Sequence, residues 1–277
     1  MDVEIKNEET IDKTKKILKI IKIISIILFS IILIIVYARF KATSGLKVNE
    51  YRIENDKIPE SFHGTKLVQI SDIHFGNTVN TKELKYIVQE INKTKPDILV
   101  LTGDLLDKEI TEEEKQELIN TLKEIKVTID KYAIKGDKDY DETLWNEIIE
   151  QSNFININNK EKFIYNKNNS KIKISNIDTE NENTYSIYVM HEPDKIDNLN
   201  NKYDLILAGH SLNGQINIPL IKQLLLPKEA KKYYKGHYTV NNTDMYISSG
   251  IGTTKFKYRL FNKPSINLFR LTKAKIS

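Results

Sequence analysis

Residues 17–38 read ILKIIKIISIILFSIILIIVYA, almost wholly aliphatic apart from Lys19 and Lys22. No other stretch constrains the chain so strongly. The uninterrupted part, Ile23–Ala38, is 16 residues long, slightly short for a bilayer core of roughly 30 Å at about 1.5 Å per helical residue. Lys19 and Lys22 reach the headgroups by snorkelling, which extends the usable span to about 20 residues. A buried core helix would carry a polar stripe, and none is visible. A cleaved signal peptide is the closer rival, but no A-x-A-like site follows the run and no arginine pair precedes it. The segment is therefore expected to be a transmembrane helix. Lys13, Lys15, Lys16, Lys19 and Lys22 lie on its N-terminal side, against Arg39, Lys41 and Lys47 on the other. The positive-inside rule then makes this a single-pass protein of the cell membrane, with the N-terminus cytoplasmic and residues 40–277 outside.

The expected organisation is a basic cytoplasmic tail (1–16), the membrane helix (17–38), a stalk with a first strand at Val48–Ile53 (39–60), and one main domain (61–277). Within that domain, short apolar runs at Lys66–Ile70, Ile98–Thr102 and Lys131–Lys135 read as strands. They alternate with helical spacing at Thr81–Lys93, Glu112–Ile125 and Asp141–Gln151. Then the pattern changes. Phe154–Ile157, Lys162–Tyr165, Lys171–Ile174, Ser186–Met190, Leu205–Ala208, Gln215–Ile218, Met245–Ser248 and Asn267–Leu271 all read as short strands, with an asparagine-rich exposed hairpin or loop over 158–183. Alternation followed by a strand-rich half predicts an α/β sandwich with two packed sheets.

Composition narrows the chemistry. With no cysteine, thiolate metal sites, disulfides and cysteine nucleophiles are excluded. A net charge of +4 over 277 residues is small, and no basic stripe interleaved with aromatics is present, so no nucleic-acid partner is expected. Only five histidines exist, His63, His74, His191, His210 and His237.

Strand-end loops deliver the acidic and imidazole groups: Ser71-Asp72-Ile73-His74, Gly103-Asp104-Leu105-Leu106-Asp107, Gly136-Asp137-Lys138-Asp139, Met190-His191-Glu192-Pro193 and Gly209-His210. Each alone is a common turn or a hydrogen-bonded structural residue. Their order matters, because each follows an apolar strand, and such loops converge at one sheet edge in open α/β folds. Carboxylates with neutral imidazoles suit divalent zinc, manganese or iron.

In this order the motifs resemble those of the calcineurin-like metallophosphoesterases, in particular a bacterial subgroup with an N-terminal membrane anchor. The likeness covers roughly residues 48–272. Gly214-Gln215-Ile216-Asn217-Ile218-Pro219 and Ser249-Gly250-Ile251-Gly252, followed by Arg259, look like that subgroup as well. The resemblance implies a four-layer α/β/β/α sandwich and a two-metal site hydrolysing phosphoesters, with the ions activating water and clamping phosphoryl oxygens. Asp72 and His74 would hold the first metal, Asp104 would bridge, and Asp137, His191 and His210 would hold the second. Three positions depart from the pattern. Asp137 replaces an asparagine ligand, Lys138 stands where the catalytic histidine would be, and Leu212 replaces the last ligand histidine.

These readings predict a membrane-anchored, metal-dependent phosphohydrolase acting on a phosphoester or pyrophosphate. By analogy with related anchored proteins, the substrate is a phosphorylated small molecule or lipid, such as a nucleotide-activated glycolipid. The rival is a pseudoenzyme of the same fold that binds one metal or a phosphorylated ligand without turnover. The Lys138 ammonium is expected against Asp72, replacing part of a missing metal's charge. Asp107 and Asp139 are expected to orient loops. His63 and His237 are read as surface or structural residues, and the stretch Lys228, Lys231, Lys232 and Lys235 as a solvated face, with contact to anionic headgroups near the anchor as the alternative.

Overall fold

The computed structural model describes residues 2–180, 183–218 and 222–274. Helix α1, Asp2–Val36, is continuous from the basic tail into the apolar segment. It ends in a wider turn over Tyr37–Lys41. From Ile17 to Val36 its large apolar side chains are exposed all round; Phe29, for example, is 62% accessible. At its foot the helix meets the rest of the chain, where Ala38 and Ala42 are buried.

The strands are β1 (Lys47–Asn55), β2 (Lys66–Ile70), β3 (Ile98–Thr102), β4 (Asp130–Ile134), β5 (Ile155–Asn156), β6 (Glu161–Tyr165), β7 (Lys171–Ser175), β8 (Ser186–Val189), β9 (Leu205–Ala208), β10 (Gly236–Val240), β11 (Thr243–Ile247) and β12 (Ser265–Lys273). They form two six-stranded sheets, ordered β1-β12-β2-β3-β4-β5 and β10-β11-β9-β8-β7-β6. Strands β2 to β5 run parallel to one another, as do β7, β8, β9 and β11. Parallel strands covered on both faces need apolar residues at nearly every position. The runs KLVQI, ILVLT and LILA are buried accordingly.

Helices α2 (Thr81–Thr94), α3 (Glu112–Lys123) and α4 (Glu142–Gln151) cover the outer face of the first sheet. Asn80 with Glu83, and Thr111 with Glu114, form capping boxes that satisfy the first free N–H groups of α2 and α3. Their apolar stripes, such as Leu84, Ile87, Val88 and Ile91, pack on Val68, Leu99 and Leu101. Truncating such a buried leucine to alanine costs about 2–5 kcal/mol. A second core lies between the sheets, from Leu67, Val100 and Tyr132 on one side and Ile174, Ile187 and Leu205 on the other. The fourth layer is thin. A 3-10 segment at Pro193–Asn198 and the loop carrying Tyr233 cover the outer face of the second sheet.

The α/β sandwich read from the sequence is therefore present, with corrections in detail. Gln215–Ile218 is not a strand: its alternation resembles one, but only Ile216 bridges, to Leu260. Strand β10 and the short helix α5 (Lys222–Leu225) were not foreseen. The asparagine-rich 158–183 region contains a true hairpin, β6–β7, whose Ile172 and Ile174 enter the core.

Candidate metal centre

The parallel strands β2, β3 and β4 end on the same edge, and β8 and β9 bring their own ends to it. The loops leaving these ends carry the site. Asp72 (φ 52°), His74 (φ 52°), Asp104 (φ 55°) and His210 (φ 65°) all adopt left-handed backbone. Non-glycine residues there cost on the order of 1 kcal/mol each, and such strain gathers at functional sites. Glycines permit the approach of the loops. A Cβ on Gly103 would stand 2.5 Å from the His191 ring, and one on Gly209 2.1 Å from the Ser71 hydroxyl.

All six side chains singled out in the sequence meet. Asp104, Asp137, His191 and His210 present ligand atoms within 4.8 Å of one another, and so do Asp72, His74 and Asp104. Asp104 belongs to both groups. His191 Nε2 lies 3.3 Å from Asp104 and 3.1 Å from Asp137, and His210 Nδ1 lies 2.9 Å from Asp137. His74 Nε2 lies 3.8 Å from Asp104 and 4.0 Å from Asp72. All are buried except Asp137, the solvent-facing member.

The donor set fits divalent cations. His191 Nδ1 donates to the Thr102 carbonyl at 2.7 Å, and His210 Nε2 donates to the Lys228 carbonyl at 2.7 Å. Carbonyls only accept, so the remaining ring nitrogens turn their lone pairs toward carboxylates. That arrangement repels unless a cation or a proton stands between. His74 is fully buried, yet neither ring nitrogen has a hydrogen-bond partner; Asp107 approaches its Nδ1 at 3.4 Å. Burial pulls each imidazole toward neutrality, but the carboxylates more than offset it. His74, His191 and His210 all lie above the ordinary histidine range. Asp104 and Asp137 are held below the usual carboxylate value despite burial, chiefly by His191. Asp72 goes the other way, raised by burial. The cluster thus favours positive charge at its centre, the charge a metal would bring.

The supporting residues were only partly legible. Asp139 accepts N–H groups from Leu105, Leu106 and Gly136 at 3.3, 2.8 and 2.9 Å, and so ties two ligand loops together. Its burial raises its pKa to about 6. Asp107 backs His74 and accepts from Asn77. Lys138 does not face Asp72. Its ammonium contacts Asp137, and its backbone N–H donates to Asp104 at 2.9 Å. The two residues are chain neighbours at the solvent mouth, whereas Asp72 is fully buried.

The fully buried cation beside Asp72 is Arg259, which donates to the carbonyls of Ser249, Gly250 and Gly252 at 2.9, 3.1 and 2.6 Å. Leu212 closes that flank. Its Cδ2 and the Asp72 Cβ lie 2.4 and 2.9 Å from where a Cβ on Gly250 would stand. His63 and His237 lie on the surface, the latter paired with Asp244 at 2.8 Å. In the basic stretch, Lys232 pairs with Asp197 at 2.7 Å.

Two groups of carboxylates and imidazoles sharing one aspartate, at the strand ends of a two-sheet sandwich, define a metal-dependent phosphoesterase. The calcineurin-like phosphoesterase family model matches residues 65–240. The chain is 30% identical over 253 residues to the uncharacterized metallophosphoesterase YkuE of Bacillus subtilis, covering 85% of this chain and 88% of that protein. It is 28% identical to YkoQ of the same organism, over 87% of this chain and 97% of that one. A zebrafish protein named as a transmembrane protein with metallophosphoesterase domain is 35% identical over 105 residues, 38% of this chain and 24% of that one. This chain belongs to the calcineurin-like phosphoesterase family, whose members use divalent metals to hydrolyse phosphoesters.

Proposed function

We propose that this protein is a membrane-anchored phosphohydrolase cleaving a phosphoester or pyrophosphate bond of a lipid-linked molecule at the outer surface of the cell membrane. One observation carries the catalytic part: Asp104 is common to the two ligand groups. Asp104, Asp137, His191 and His210 would hold one ion, and Asp72 and His74 with Asp104 a second. Bound in this way, two divalent ions supply a water of lowered pKa and positive charge against the phosphoryl oxygens.

The chain's own residues supply the rest. Thr102 and Lys228 fix the His191 and His210 rings through their carbonyls. Lys138 stands at the mouth beside the solvent-facing Asp137, whose charge raises the lysine's pKa against the burial that lowers it. A permanent ammonium attracts a phosphoryl oxygen but does not shuttle protons near pH 7. Lys138 is accordingly an electrostatic residue in this reading. Membrane attachment is supported by the 30-residue span Asp12–Lys41, long and apolar enough to cross a bilayer and unburied across its apolar window. Tethering keeps the site near the bilayer, which favours a lipid-linked substrate.

The departures at Lys138 and Leu212 favour a second reading, a binding protein of this fold with little turnover. Metal analysis of the full chain in detergent, alongside a manganese-stimulated assay on bis(p-nitrophenyl) phosphate, separates the two. Two metals per chain with activity above an Asp104→Ala control support the hydrolase. One metal or none, with no activity above that control, supports the binder and overturns the leading reading.

A further inference from the structure

We propose that a ridge beside the foot of α1, formed by Phe40, Lys255, Phe256 and Phe261, is a second membrane contact, seated in the headgroup layer of an anionic bilayer. The proposal rests on reading α1 as an anchor. It adds a fixed attitude of the metal-binding edge toward the lipid surface.

Four observations converge. First, Phe256 and Phe261 are each 71% exposed and Phe40 is 65% exposed, the highest values among the described large hydrophobic side chains. A single exposed phenylalanine is ordinary. Three of them around one helix foot are not scattered.

Second, the ridge is continuous with the anchor. The Arg259 N–H, between Phe256 and Phe261 in the chain, donates to the Ala38 carbonyl at 3.0 Å, and Ala38 and Ala42 are buried. The loop and the helix end therefore share one height above the bilayer.

Third, the charges suit headgroups. Lys255 and Lys263 are exposed on the loop, Lys41 and Lys47 near the helix foot, and the Arg39 guanidinium lies 5.2 Å from the Phe40 ring centre. Lysine and arginine beside aromatic rings is the composition of an interfacial anchor, and each basic residue near an anionic surface adds attraction. Of the two acidic groups that line the cavity beside Arg39 and Lys257, Glu83 is paired with Lys257 and Glu114 accepts the Thr111 N–H.

Fourth, Lys255 (φ 57°) and Phe261 (φ 54°) adopt left-handed backbone. For a bulky aromatic this is a strained conformation, and here the residue it belongs to is one turned out into solvent.

The ridge also belongs to the metal edge. Gly252 N–H donates to the Asp72 carbonyl at 2.7 Å, and the Asn262 amide donates to the carbonyl of Leu212. One segment, 249–262, thus touches both the ligand loops and the proposed lipid contact. A site held this way opens beside the bilayer surface.

The absence of native cysteine makes the test direct. Full-length Phe256→Cys, Phe261→Cys, Phe29→Cys and Tyr165→Cys are each labelled with a nitroxide and reconstituted into vesicles of phosphatidylcholine with phosphatidylglycerol. Collision with oxygen is compared with collision with a water-soluble nickel chelate. Tyr165, exposed on β6 at the far edge of the second sheet, is the aqueous reference, and Phe29 reports on the anchor. Labels at 256 and 261 should show an oxygen-to-nickel ratio severalfold above that at 165. If they match 165 while 29 lies deep in the lipid, the ridge is overturned and the anchor stands. If 29 is also water-exposed, the anchor reading falls and takes the ridge with it. Neither readout depends on turnover.

Discussion

Gly136 lies so close to Asp104 that a Cβ on the glycine would stand 2.0 Å from the carboxylate Oδ1 and 2.4 Å from the backbone nitrogen of Asp104. The residue that both ligand groups share is thus held in place by the absence of a side chain on a neighbouring loop. Gly136 N–H also donates to Asp139, which accepts from the two residues following Asp104.

Gly136→Ala should therefore push Asp104 out of both groups while leaving the sheets intact. Displacing a catalytic group by about 1 Å costs on the order of 10²-fold in rate. Metal content and phosphodiesterase rate should fall together, with an unchanged circular dichroism spectrum. Retention of the parent's metal content would show that the loop relaxes instead.

Leu212→His tests the first ligand group from the opposite direction. The leucine lies beside Gly250 and Asp72, where an imidazole would add a fourth donor to Asp72, His74 and Asp104. Metal retained by this group at limiting manganese should rise, and the rate at limiting manganese with it. Content unchanged from the parent would mean that three ligands already suffice, or that the ring turns away.

Lys138→His replaces a fixed ammonium with a group whose ordinary pKa is about 6.5. General acid help contributes typically 10²–10⁴-fold, so the rate at pH 7 should rise by at least about 10-fold. The pH profile should gain a limb absent from the parent. A flat profile and an unchanged rate would place residue 138 outside the path of the proton.

Lys131 gives the protein a pH-dependent stability away from the site. It is 5% exposed, donates to the carbonyls of Ser152 and Leu122 at 2.7 and 3.2 Å, and burial lowers its pKa to about 8. Its folded pKa is depressed, so the unfolded state binds more protons between about pH 8 and 10.5. Stability from this group therefore rises with pH across that window and is lost as pH falls through 8. The change is on the order of 3 kcal/mol, at roughly 1.4 kcal/mol per unit between 10.5 and about 8. Denaturant titrations of the parent and Lys131→Met across that range should diverge by this amount. Parallel curves would contradict it.

Locally encoded features were legible in the chain. The apolar run at 17–38, the helical spacing of Leu84, Ile87, Val88 and Ile91, and the buried strands Ile98–Thr102 and Leu205–Ala208 need only near neighbours to be recognised. So does the ordered placing of Asp72, His74, Asp104, Asp137, His191 and His210 after apolar strands. Features that depend on distant partners were not legible. Strand β10 shows no apolar run because it is an edge strand, half exposed and paired only with β11. Gln215–Ile218 has strand alternation but finds no neighbour beyond a single bridge to Leu260.

At the site the same division holds. Residue identity determined which groups can bind a cation, because ligand chemistry belongs to the side chain. Tertiary structure decided which ring nitrogen of His191 and His210 faces Asp137, since the carbonyls of Thr102 and Lys228 take the other proton. It also decided that Lys138 meets Asp137 and that Arg259 lies beside Asp72. Hydrogen bonds and charge act over a few ångströms of space, and only the folded chain sets which residues stand that close.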